Sequence, residues 1–222
     1  MNGPLLKYLD DRCGAAGAEF ALLALVFAMV LLGIIDFNRA LWEYNEIEKS
    51  CRVGVRYAVV HNMVATGMYT WDGAAGGILA PGDAVPASGA GAIDPSTANC
   101  TCSNISGDPP VCGSVTCDNW GPPNQAAFDD ILREMEAVYS GLNAPETVIS
   151  VKYENIGLGI AGNPIGSDVS PLTTVTVQGP TMDFSTPLID GIAGPIQFNC
   201  SASLTGEDFQ TCPDGVSQLP CP

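Results

Sequence analysis

Gly14-Ala15-Ala16-Gly17-Ala18-Glu19-Phe20 opens an apolar run that continues to Ile35. One carboxylate, Glu19, therefore stands at the head of a membrane-length hydrophobic segment. A charge there costs roughly 2.5–3.5 kcal/mol even on lenient insertion scales. Neither a secretory signal nor a plain anchor has a use for it. Cleavage after Gly14 would supply one, because Ala15 then becomes a new N-terminus with a charged amine. Glu19 lies four residues further along the same helix, about 6 Å of rise away, where the two charges can pair within one subunit or between neighbours. Residues 15–35 are long enough as a helix to cross a ~30 Å hydrocarbon core. The run exceeds the apolar region of a signal peptide, about 7–15 residues. Asp36-Phe37-Asn38-Arg39 follows it, where a signal peptide would carry a small-x-small cleavage site.

This segment resembles the processing site of the type IV pilin superfamily, in which Gly precedes the cut and the fifth residue after it is Glu. The nearer resemblance is to the TadE-like minor pseudopilins of tight-adherence (Tad, or Flp) pilus systems. It rests on three blocks: Gly14 to Phe20, then Gly33-Ile-Ile-Asp-Phe37 with Arg39-Ala-Leu41, then Cys51-Arg-Val-Gly-Val-Arg-Tyr-Ala-Val-Val60. Glu19-Phe20 stands where major Flp pilins carry Glu-Tyr, which favours a minor subunit. Pro187–Gly194, leading into Ile196–Leu204, is similar to the C-terminal end of the family. The resemblance implies a processing site at Gly14 and Ala15 and an assembly role for Glu19 and Phe20. It also implies a cytoplasmic leader, a single pass through a bacterial inner membrane and a periplasmic head, with possible incorporation into an extracellular pilus. The implied partners are a prepilin peptidase, other pilins and minor pseudopilins, the inner-membrane assembly platform and membrane lipid.

Composition narrows the remaining choices. The formal net charge is −16 over 222 residues, which argues against nucleic acid, whose binding depends on neutralising phosphates with Lys and Arg. Beyond residue 60 the only cations are Arg133 and Lys152. Charge bias does not orient the membrane segment. Lys7 and Arg12 precede it, while Arg39, Lys49 and Arg52 follow. Of nine cysteines, Cys13 leaves with the leader on cleavage. Eight remain: Cys51, Cys100, Cys102, Cys112, Cys117, Cys200, Cys212 and Cys221. An even count in an exported domain reads as disulfides, and their pairing is open. Some bonds are expected to staple the middle of the chain to itself, others to tie Cys200, Cys212 and Cys221 into the head or to one another. Cys51 falls on an expected helix, so it is either paired or a free buried thiol that leaves a second cysteine unpaired.

Along the chain, residues 1–14 read as the leader, 15–35 as the membrane helix and 36–60 as an amphipathic continuation of it. Phe37, Ala40, Leu41, Tyr44, Ile47, Cys51, Val55 and Ala58 recur at helical spacing, and positions 37, 44, 51 and 58 repeat every seven residues. That stripe serves either packing against the protein's own domain or contact with neighbouring subunits. Residues 61–123 are rich in Gly, Pro and Cys and read as a loop region. Residues 124–222 read as an α+β head. Its expected helix is 125–142, with Phe128, Ile131, Leu132, Met135, Val138, Tyr139 and Leu142 on one face and Gly141 as its stop. Its expected strands are 147–153, 172–178 and 196–204. The fold class is therefore α+β: a long N-terminal membrane-spanning helical spine with a small antiparallel-sheet head stapled by disulfides, pilin-like by resemblance.

Nothing in the chain assembles a catalytic constellation, and no enzyme activity, cofactor or metal is expected. His61 is the one histidine, and a Ser-His-Asp site would have to be built around it. Asp129-Asp130 and Glu207-Asp208 read as solvated surface. The C-x-C and C-x4-C spacings lack the paired C-x2-C pattern of zinc sites, and no calcium-loop motif occurs. The function expected is participation in Tad/Flp-type pilus biogenesis, in initiation, priming or at the tip. The alternative is a membrane-anchored periplasmic or cell-surface binding module, adhesive in character, that is not built into a pilus.

Overall fold

Between Pro4 and Pro81 the chain has no proline, and a single helix exploits that freedom. In the computed structural model, α1 runs Arg12–Ala58, 47 residues. The structure describes residues 12–144, 146–163, 167–184, 191 and 194–206, with the side chains of 12–15 excluded. Two units divide the described residues. One runs through Glu43 and takes up the stretch between Met182 and Ile196; the other runs Tyr44–Thr181 and resumes at Gln197.

In the first unit, residues 20–35 of α1 are apolar on every side and largely exposed. In the second, α1 becomes amphipathic. Ile47, Ser50, Cys51, Gly54, Val55 and Ala58 are buried, the i, i+3, i+4 pattern of a helix lying against a domain. The seven-residue repeat expected from the sequence is only half realised: Cys51 and Ala58 are fully buried, whereas Phe37 and Tyr44 are exposed. A straight helix turns every 3.6 residues, so a strict seven-residue row drifts off its face.

What covers this stripe includes α3. After a short helix α2, Thr66–Tyr69, α3 spans Gln125–Glu136. Its N-cap is Asn124, whose Oδ1 accepts a hydrogen bond from Ala127 N at 3.1 Å. Phe128, Ile131, Leu132 and Met135 form its buried face. Contact with α1 is backbone-close. A Cβ on Gly54 would sit 2.6 Å from Met135 Sδ, and Ser50 Oγ donates to the Met135 carbonyl at 3.1 Å. The helix is shorter than the sequence suggests. It ends at Glu136, Tyr139 takes an extended conformation (φ −136°), and Ser140–Asn143 form a separate 3-10 turn. Gly141 therefore lies inside that turn rather than stopping the helix, and Tyr139 and Leu142 reach the core from beyond it.

The sheet has five strands in the order β4-β1-β5-β6-β7. They are β1 Thr97–Cys102, β4 Thr116–Cys117, β5 Val148–Glu154, β6 Leu172–Met182 and β7 Ile196–Thr205. β1 pairs antiparallel with β4 and β5, and β5 antiparallel with β6. Hydroxyl contacts Thr174–Ser203 and Thr176–Ser201 run in opposite senses along β6 and β7, so that pair is antiparallel too. A small second sheet joins β2 Ile105–Ser106 to β3 Val111–Cys112. The inward residues expected in β5, Ile149, Val151 and Tyr153, are fully buried. In β7 the alternation holds at Phe198 and Cys200 but fades, with Leu204 40% exposed.

One reading needs correction. Residues 61–123, expected as a loop region, contribute α2 and four strands, and β1 lies inside the main sheet. Its inward side chains are Ala98, Cys100 and Cys102. These are too small to mark a strand by hydrophobicity, which is why the alternation was hidden. The second unit also begins at Tyr44, so the helix is already part of it well before residue 124.

Candidate functional site

The Gly14–Ala15 bond lies in the first turn of α1, which begins at Arg12. Amides in a first turn have no intrahelical acceptor, so this is the end of the helix that unwinds at least cost. Glu19 and Phe20 are both exposed, Phe20 at 72%. Glu19 makes no ion pair with any described residue. In the uncut chain Glu19 sits about two turns into the helix, too deep for the dipole of the helix N-terminus, which acts within the first turn. A cut before Ala15 would bring both a helix N-terminus and a charged amine to within about one turn of it.

From Ala16 onward α1 is long and apolar enough to cross a membrane. Its most apolar window has a mean hydropathy of 2.7 and is 6% buried. Leu22, Leu23, Val26, Phe27, Val30, Ile34 and Ile35 are all more than half exposed. A helix apolar all round has to be covered by lipid or by other chains. At its far end Asp36 is buried, at 2% exposure, which its place after the apolar run does not announce. Asn38 Nδ2 donates back to the Ile34 carbonyl at 2.8 Å, and Arg39 Nε pairs with Glu43 at 3.2 Å.

Among the described residues six cysteines pair. Cys51 bonds Cys200 across 149 residues and ties α1 to β7. Cys100 bonds Cys117 and Cys102 bonds Cys112, joining β1 to β4 and to β3. The middle of the chain is thus stapled to itself, and Cys51 is not a free thiol. Cys212 and Cys221 lie outside the described residues. The Cys51–Cys200 partnership left a trace in the sequence, since each position falls on the inward side of its own element.

The remaining polar side chains organise loops. Asp168 is buried (3% exposed), and its carboxylate accepts from the backbone N–H groups of Gly73, Gly162 and Asn163 at 2.8–3.0 Å. No sequence pattern marked it. Asp129, expected as solvated surface, instead accepts from Cys112 N at 2.8 Å and Gln125 Nε2 at 3.1 Å and so fastens β3 to α3. Asp130 does pair at the surface with Arg133, at 2.8 Å. Glu207 and Asp208 are outside the described residues. His61 stacks on Tyr57 with ring centroids 3.6 Å apart, and its Nδ1 lies 2.9 Å from the Tyr57 carbonyl near the end of α1. Burial pushes the Tyr57 phenol up, with Asp130 and Glu134 adding to the shift. A cleft of about 480 Å³ is bordered by Gly82, Ile160, Asn163, Ser167 and Ser170. Among the described residues no three His, Cys, Asp or Glu side chains gather as metal ligands would.

No curated protein and no solved structure matches the chain. A family profile does, and it covers the site. The profile is described as TadE-like protein, and it matches residues 14–56. The match starts at Gly14 and stops two residues short of the end of α1 at Ala58. Over that segment the chain is similar to TadE-like proteins, consistent with a protein of the Tad pilus system.

Proposed function

We propose that the protein is a minor pseudopilin in the biogenesis of a Tad-type pilus. The precursor enters the inner membrane with residues 1–14 in the cytoplasm. A prepilin peptidase, an aspartic membrane protease in such systems, hydrolyses the Gly14–Ala15 bond. The mature helix stays in the membrane as a pool of subunits with the head in the periplasm. Assembly withdraws it, and Glu19 pairs with the Ala15 amine of an adjoining subunit. That pairing compensates a charge in an apolar bundle and sets the axial register of one helix against the next. The subunit acts in initiation, priming or at the tip of the fibre, and has no turnover of its own.

The observation that carries this reading is Glu19, exposed at the head of the apolar run of α1, five residues past Gly14. Two others support it. The apolar helix continues without a break into the head as α1, so removing the leader leaves anchor and head joined. Three disulfides also suit an oxidising compartment rather than the cytosol. The test is Glu19→Ala in a host that makes the pilus. The variant is expected to insert and to be processed but not to support piliation. Normal pili would remove the role assigned to Glu19.

A further inference from the structure

The chain has eight cations, and their placement is uneven. Lys7 and Arg12 precede the apolar run. Arg39, Arg133 and Lys152 each pair with a carboxylate at 2.8–3.2 Å. The other three, Lys49, Arg52 and Arg56, all lie on the second-unit part of α1 and all are exposed. At 3.6 residues per turn they fall within about 60° of one another, on the side of the helix opposite Cys51, Gly54, Val55 and Ala58. Arg52 has only a loose contact with Glu48, 3.7 Å, and its side chain is 69% exposed. Lys49 and Arg56 have no ionic partner among the described residues. The stripe points away from α3 and is basic on an otherwise acidic body.

A complementary surface lies elsewhere on the same unit. Asp108 occupies the turn between β2 and β3, and Glu136 ends α3. Asn143 Nδ2 joins that turn to the end of α3, donating to the carbonyl of Gly107, next to Asp108, at 3.0 Å and to Glu136 Oε1 at 3.5 Å. Burial raises the Glu136 pKa first, and the charge of Asp108 raises it further. The Gly107–Asn143–Glu136 bridge sets two acidic residues at one corner of the unit, with no cation paired to either among the described residues. A cation brought by another molecule would relieve them.

We propose that the Lys49–Arg52–Arg56 stripe of one subunit docks on the Asp108–Glu136 pair of a second copy of this chain. The stripe faces away from the helix that carries Glu136, so the two surfaces of one copy do not satisfy each other. A contact between two different patches is heterologous, and repeated it builds a ring or an open helical array rather than a closed dimer. Charge complementarity of this kind fixes register and rejects wrong partners. The inference rests on the assembly reading above and names the surfaces that meet.

The experiment measures self-association of the full-length protein in detergent by sedimentation, at low and high salt. Arg56→Glu alone and Glu136→Lys alone are each expected to weaken it roughly tenfold or more. The two together, which swap the pair, are expected to recover it. The wild-type association is expected to fall with salt. Single variants without effect, or a double variant no better than the singles, would overturn the contact. So would intact self-association combined with stripe variants that lose binding to phosphatidylglycerol vesicles. Processing is read separately from the N-terminal mass. A processed Ala15 terminus without salt-sensitive association overturns this contact alone. A retained Met1 with swappable association overturns the processing step and leaves the contact standing.

Discussion

At the scale of single residues, two buried positions carry a polar or steric demand, and a third, Glu19, is an exposed charge with no ion pair among the described residues. Tyr153 is fully buried, and its phenol oxygen accepts the Val64 N–H at 3.1 Å. Tyr153→Phe leaves that N–H unsatisfied, which costs about 1–3 kcal/mol; thermal unfolding of the variant should show the loss. The same phenol sets an alkaline limit. Burial lifts its pKa well above the ordinary value of 10.0, with the Val64 hydrogen bond opposing. The folded state therefore holds the proton more tightly than the unfolded chain. Its contribution is complete below about pH 10 and declines as pH rises beyond it. Stability curves of wild type and Tyr153→Phe are expected to converge at high pH, and a constant gap would contradict this. Gly54 is the second position. Ala there would place a methyl 2.6 Å from Met135 Sδ, an overpacking expected to cost about 1–3 kcal/mol. A denaturant midpoint equal to that of wild type would show that Met135 moves aside freely. Glu19 is the third, and the partner proposed for it is an amine that the uncut chain lacks.

At the scale of elements, the Cys51–Cys200 bond fixes α1 to β7 over 149 residues of chain. Replacing both by Ala is expected to cost about 2–5 kcal/mol, read as a lowered unfolding midpoint in the second unit. A loss confined to a few tenths would mean that the buried stripe of Ile47, Val55 and Ala58 holds the helix without it. The elements also show what the sequence made legible. α1, β5 and β6 announced themselves because their apolar residues are large and regularly spaced. β1 did not, because Ala98, Cys100 and Cys102 fill its inner face and carry little hydrophobic signal. The end of α3 was hidden because Tyr139 and Leu142 keep the helical spacing of the core while the backbone between them leaves the helix. Asp168 was invisible because its three donors are backbone groups from loops up to 95 residues away. The Gly14–Glu19 segment stood out because a charge on a membrane-length helix has few explanations. Cys51 and Cys200 were readable only as two inward positions, since pairing depends on how helix and sheet meet.

At the scale of the whole molecule, a helix similar to that of TadE-like proteins continues into a disulfide-stapled α+β unit. The helix needs lipid or other subunits around it, and the acidic unit carries a single basic stripe. Everything proposed for assembly turns on whether Glu19 acquires an amine to pair with. The most direct measurement is the intact mass and N-terminal sequence of the membrane-extracted protein, with and without a co-expressed prepilin peptidase. The expected result is an N-terminus at Ala15 that appears only with the peptidase. A retained Met1 in both samples, or a cut beyond the apolar run, would contradict the account and leave Glu19 without its partner.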